Sequence, residues 1–149
     1  MFKNFSKKYV KVKKGTIFCK IGGKGPPLLL LHGYPQTHIM WHKTAKDLAK
    51  DFTIVAADIR GYGESHSPPG DKKHLNYSKR EMAKDMVEMM KKLGFKKFFV
   101  AGHDRGGRVA HRLAKDYRNN VLALCVLDIC PTLDMYELTT CLLYTSPSP

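Results

Sequence analysis

Apolar residues gather in short unbroken runs, and the stretches between them repeat with a helical period. Leu28, Leu29, Leu30 and Leu31 follow one another between Pro26-Pro27 and His32-Gly33. A run this short, without alternation, predicts a strand buried on both faces. Residues 52–57, residues 98–101 and Val121–Leu127 repeat the pattern. Ahead of them, residues 9–13 and 16–21 read as two further strands turning at Gly15. Between the strands, Trp41, Ala45, Leu48 and Ala49 mark one helix face. Ser78-Lys79-Arg80-Glu81 has the form of a capping box, with the serine capping and the glutamate reaching back, and Tyr77 and Met82 at staple positions. Met82, Met86, Met89 and Leu93 then line a helix that Gly94 stops. This methionine stripe reads as core filler. Another helix is expected over residues 106–117. Strands alternating with helices predict an α/β protein with a doubly wound, mostly parallel sheet. Ligands bind such sheets at the carboxyl ends of strands. His32, Asp58, Asp104 and Asp128 fall at those ends.

The 149 residues suffice for one domain, and no internal repeat is visible. A formal net charge of +13 is the unusual quantity. The lysines are scattered in pairs such as Lys7-Lys8 and Lys91-Lys92. They form no basic block of the kind that binds nucleic acid, so no nucleic-acid partner is expected. The charge favours encounter with anionic substrates instead. Cys19, Cys125, Cys130 and Cys141 show no metal-ligand spacing. Cys125 falls in a predicted buried strand and is expected to be a small core hydrophobe. Residues 1–15 lack the apolar stretch of a signal peptide, and no run approaches a membrane span. The expected setting is the cytoplasm, without membrane partners. Residues 138–149 have neither helix nor strand period. Residues 1–137 are therefore expected to form part of a core domain, and 138–149 to be a non-native tail of adapter or vector origin.

The chemistry concentrates in Val100-Ala101-Gly102-His103-Asp104-Arg105-Gly106-Gly107-Arg108. A strand runs into small-X-nucleophile-X-small-small and then a helix. This is the nucleophile elbow of an α/β-hydrolase, with aspartate where esterases carry serine. The helix dipole beyond it favours an ionised Asp104. An ionised aspartate can displace a halide or open an epoxide, leaving an ester on the enzyme. Arg105 and Arg108 lie three apart and share a helix face. Two guanidinium groups there would bind a small carboxylate and offset its repulsion with Asp104.

Three more segments complete the pattern. In Leu31-His32-Gly33-Tyr34-Pro35, the backbone N–H of Tyr34 is expected to form an oxyanion site with that of Arg105. His32 is expected to be structural, and Pro35 is a candidate for a cis bond. Asp58-Ile59-Arg60-Gly61-Tyr62-Gly63-Glu64-Ser65 is a loop in which Asp58 mainly shapes the turn. Asp128 ends the strand after the elbow helix, where some α/β-hydrolases keep the acid that orients a catalytic histidine.

Residues 27–137 resemble the fluoroacetate (haloacetate) dehalogenases. The resemblance is carried by His32-Gly33-Tyr34-Pro35-Gln36, Trp41, Asp58-Ile59-Arg60-Gly61-Tyr62-Gly63, Tyr77-Ser78-Lys79-Arg80, Gly102-His103-Asp104-Arg105-Gly106-Gly107-Arg108, His111-Arg112, and Leu127-Asp128-Ile129 with Pro131-Thr132 and Met135-Tyr136-Glu137. Epoxide hydrolases and haloalkane dehalogenases usually place tryptophan after the aspartate, where this chain has Arg105. The resemblance implies Asp104 as nucleophile, Arg105 and Arg108 as carboxylate ligands, and Asp128 as the acid of the triad. It implies a halocarboxylate substrate, no metal, no organic cofactor, and a homodimer for the full-length parent. It also implies a catalytic histidine and a lid that holds the halide. No histidine of this chain matches the former, and nothing matches the latter. By this reading the chain is the N-terminal half of the fold, truncated before the lid. It is expected to be inactive alone and not to fold stably. The alternatives are an epoxide hydrolase-like enzyme and a non-catalytic hydrolase-fold protein that binds a small carboxylate.

Overall fold

The computed structural model describes residues 1–130. Expectations that fall on residues 131–149, including the non-native tail and the motif residues from Pro131 onward, lie outside the described residues.

A six-stranded sheet forms the centre, with strands β1 (Ser6–Val12), β2 (Gly15–Gly22), β3 (Pro27–Leu31), β4 (Thr53–Ala57), β5 (Phe98–His103) and β6 (Val121–Leu127). Their spatial order is β1-β2-β4-β3-β5-β6. The first two strands form an antiparallel hairpin, and β2 pairs antiparallel with β4. From β4 through β3 and β5 to β6 all pairing is parallel. The expected mostly parallel α/β sheet is present, and each predicted strand appears within two or three residues of its expected bounds.

Parity along the central strands assigns the faces. Leu29, Leu31, Val55 and Ala57 point to one side, and Leu28, Leu30, Ile54 and Ala56 to the other. Helices α2 (Lys79–Lys92) and α3 (Arg105–Asp116) cover the first face with Met82, Met86, Met89, Met90, Val109, Ala110 and Leu113. Trp41, from a 3-10 turn at His38–Trp41, and Ala45, from α1 (Thr44–Leu48), cover the second together with Phe2. The methionine stripe is core, with Met86, Met89 and Met90 fully buried. Truncating any one of them to alanine costs about 2–5 kcal/mol.

Two expectations need correction. Only half of the capping box forms. Ser78 Oγ accepts from the Glu81 N–H at 3.3 Å, but the Ser78 N–H already donates to Leu75 O at 3.0 Å. The Glu81 carboxylate turns instead to Lys14 Nζ, 2.8 Å away. The second correction concerns β6. It is not a buried strand, and Cys125 is exposed rather than a core residue. Among the described residues β6 pairs on one side only, with β5, so Leu122, Val126 and Leu127 stay 39–51% exposed. The opposite edge, β1, carries Lys7, Lys8 and Lys11, charges that discourage pairing with another chain.

Candidate active site

Strand β5 delivers its last residues to the top of the sheet, and the chain turns sharply at Asp104. This residue has φ 47° and ψ −116°, a conformation disfavoured for a side-chain-bearing residue and worth about 1–3 kcal/mol of strain. An ordinary helix N-cap has an extended backbone, and its side chain accepts from the N–H of the second or third helical residue. Asp104 has neither property. Its N–H donates outward to Leu127 O at 3.1 Å, and its carbonyl accepts the first helical hydrogen bond, from the Arg108 N–H, also at 3.1 Å. Glycine is required where strand and helix nearly touch: a Cβ on Gly102 would strike the backbone of Gly106, and one on Gly106 that of Leu31 and His32.

The half-buried Asp104 carboxylate faces the loop after β3. There the Tyr34 N–H donates to Asp104 Oδ2 at 2.9 Å. The loop closes with the Gln36 N–H on Gly33 O at 3.0 Å, and the Tyr34–Pro35 bond is cis, as anticipated. Burial pushes the Asp104 pKa up. The backbone N–H groups of Tyr34 and Arg105, with the charges of His103 and Arg105, outweigh it and hold the carboxyl below its ordinary value. The nucleophile expected from the sequence is thus ionised at neutral pH, and the two amides expected as an oxyanion site both favour its charge.

Arg105 is exposed at the start of α3. Its Nη1–H donates to Tyr62 Oη at 3.1 Å, and its guanidinium carbon lies 4.8 Å from the centre of the Tyr34 ring. Arg108 follows one turn on and is half-buried. Lys79, at the start of α2, belongs to the same electropositive region. Burial lowers its pKa first, the Arg105 and Arg108 charges lower it further, and Asp104 opposes them. The packing of α2 against α3 brings Lys79 here, a neighbourhood that no local spacing reveals.

The other strand ends divide in character. His32 is fully buried; its Nδ1–H donates to Gly33 O at 2.8 Å and its Nε2 accepts from the Ile59 N–H at 3.1 Å. With burial also lowering its pKa, it is a neutral structural residue. Asp58 is fully buried and accepts from the His38 N–H (2.6 Å), His38 Nδ1 (2.9 Å) and the Glu64 N–H (3.0 Å). Those contacts tie two loops together, which is the turn-shaping role expected of it. Two residues on, the fully buried Arg60 grips Asp85 of α2 through Nε and Nη2 at 2.8 Å each. Asp128 sits just past β6, 85% exposed, with Oδ2 3.4 Å from His103 Nε2. His103 stands between Asp128 and the elbow. Its Nδ1 is buried without a hydrogen-bond partner among the described residues. Among the described residues no three His, Cys, Asp or Glu side chains gather as a metal site requires, and no helix is long and apolar enough to cross a membrane.

A parallel sheet with a strained aspartate at a strand-to-helix elbow, faced by a backbone N–H from the loop after β3, defines an α/β-hydrolase site. The chain belongs to the α/β hydrolase fold family, whose model matches residues 26–149. It is 53% identical over 137 residues to a fluoroacetate dehalogenase from Burkholderia sp, covering 92% of this chain and 45% of that protein. It is 43% identical over 111 residues to a soluble epoxide hydrolase from Corynebacterium sp. (strain C12), covering 74% of this chain and 37% of that one. A crystal structure of an α/β hydrolase from Nostoc sp PCC 7120 superposes with a TM-score of 0.95 at 54% identity, over 97% of this chain and 50% of that chain. The chain therefore spans half or less of the length of these relatives.

Proposed function

We propose that the chain is the amino-terminal part of a hydrolase that removes halide from a small 2-haloacid such as fluoroacetate or chloroacetate. The observation that carries this reading is the ionised Asp104 at the strained elbow, with the oriented guanidinium of Arg105 beside it. Asp104 attacks the α-carbon; the carbon–halogen bond breaks and the halide leaves with the bonding pair. Arg105 and Arg108 hold the substrate carboxylate and offset its repulsion with Asp104. Water then attacks the ester carbonyl carbon. Charge gathers on the aspartate oxygen that the Tyr34 and Arg105 amides face. The hydroxy acid leaves and Asp104 is regenerated. Asp128 would orient a histidine supplied by the rest of the full-length protein.

The likeness to the Burkholderia dehalogenase supports the reading. The likeness to an epoxide hydrolase is compatible with the same nucleophile but gives the two arginines no task. The test is halide release from fluoroacetate and chloroacetate by the full-length protein beside Asp104→Asn. Release that vanishes in the variant is expected. Absence of release from both substrates, with turnover of an epoxide, would overturn the reading.

A further inference from the structure

An exposed arginine at a helix start ordinarily samples many rotamers, and a ligand that uses it must first freeze it. Arg105 is instead held from two sides. Its Nη1–H donates to Tyr62 Oη, and its guanidinium lies against the Tyr34 ring. Tyr62 is itself fixed. It packs half-buried against the core below α2, and its N–H donates to Ile59 O at 3.0 Å. Its ring meets that of His32 edge to face, 5.1 Å between centroids at 70°. His32 is pinned through both ring nitrogens. A rigid line thus runs from the end of β3, through His32 and Tyr62, to the guanidinium.

We infer that Tyr62 is a positioning residue for carboxylate recognition: its hydroxyl, with the face of Tyr34, sets the Arg105 guanidinium in the orientation that receives the substrate's carboxylate. This rests on the proposed dehalogenase reading. Two features of the contact support it. A guanidinium has five N–H donors, so one given to Tyr62 leaves four for a forked pairing with a carboxylate. The tyrosine oxygen is also neutral. It orients the cation without cancelling its charge, as an aspartate or glutamate in its place would. Tyr62 lies in a loop whose other members, Asp58 and Arg60, are committed to holding the fold. It is the member of that loop whose polar atom reaches the elbow.

The test uses the full-length protein and two probes, acetate as an unreactive carboxylate and acetamide as its neutral isostere, each titrated as an inhibitor of halide release. Tyr62→Phe keeps the ring and removes the hydroxyl. It is expected to weaken acetate and raise the KM for chloroacetate roughly three- to tenfold, the factor one net hydrogen bond commands. The kcat should stay within about twofold, because binding common to ground and transition states is lost. Acetamide should be unaffected. If Arg105→Gln weakens acetate and Tyr62→Phe does not, the positioning role is overturned while the dehalogenase reading stands. If Arg105→Gln leaves acetate unchanged, the carboxylate assignment falls and this inference with it. Equal losses for acetate and acetamide in Tyr62→Phe would also overturn the inference, as the mark of a general loosening. Should Tyr62→Phe not fold, Tyr34→Leu removes the ring that faces the guanidinium but keeps the amide, and is expected to weaken acetate and not acetamide; unchanged acetate binding would overturn the inference.

Discussion

Two parallel strands, β4 and β5, are each followed directly by an aspartate, and the two aspartates have opposite fates. Asp58 is wholly enclosed, and its carboxylate is engaged by two N–H groups and a histidine ring. Asp104 is half-buried, sits at positive φ, and meets a backbone amide of a neighbouring loop. Both carboxyls lie below their ordinary pKa against a burial effect that pushes the other way. Lowered pKa alone therefore does not separate the proposed nucleophile from a structural carboxylate. What separates them is that Asp58 has spent its acceptor capacity on the fold, whereas Asp104 holds a strained backbone and keeps access to solvent. Hydrogen-bond saturation accounts for Asp58 as structure; strain combined with access to solvent is what supports the chemistry proposed for Asp104.

The largest expected effect follows from this contrast. Asp104→Asn should lower halide release by the full-length protein roughly 10⁴-fold or more, while its thermal midpoint moves little. Asp58→Ala should do the reverse, leaving three donors facing no acceptor and costing about 3 kcal/mol or more in a denaturant titration. Equal loss of activity and stability in both variants would erase the distinction. The Arg60–Asp85 pair belongs with Asp58. Breaking it with Asp85→Ala strands a buried guanidinium and should cost about 3–5 kcal/mol.

A smaller effect concerns pH. A carboxyl with a depressed folded pKa stays ionised as pH falls, and its reactivity and stabilising contribution are lost only below the ordinary value of about 3.9. In the full-length protein, the single-turnover burst of halide release that the proposed attack by Asp104 predicts should be flat from pH 7 to about pH 4.5 and decline only below that. A midpoint near pH 6 would show that the Tyr34 and Arg105 amides do not outweigh burial.

Much of this contrast was legible in the chain, and the reasons differ by residue. The four leucines of β3, bounded by prolines and glycine, read as a doubly buried strand, and the small residues around Asp104 read as a close strand–helix crossing. Cys125 departs from its expected burial because hydrophobic pattern reports what a strand could bury and not whether a neighbour covers it. Glu81 departs from the capping box because the N–H it would serve is taken by a local turn. Tyr62, Lys79 and His103 stand within motifs that carry the family resemblance, yet nothing local marks them as neighbours of the elbow. Their roles depend on which loops meet above the sheet, a tertiary fact with no local period or spacing.

The smallest effects sharpen the same comparison. Asp104→Gly should stabilise the fold by about 1 kcal/mol, because glycine adopts the elbow conformation without strain. An equivalent gain should not appear for Asp58→Gly. Burial pushes the Cys19 thiol up to about 12, so Cys19 should resist thiol reagents at pH 8 while the exposed Cys125 and Cys130 react. Mass mapping of the labelled cysteines reads this out.

The central claim is that Asp104 makes and breaks a covalent bond. The direct measurement is a single turnover of chloroacetate by excess full-length protein in heavy-oxygen water. Mass spectrometry then follows the peptide containing Asp104 and the released hydroxy acid. An ester intermediate predicts heavy oxygen in the Asp104 carboxylate and ordinary oxygen in the product. Heavy oxygen in the product, with none in Asp104, would mean that water attacks the substrate directly and would contradict the account.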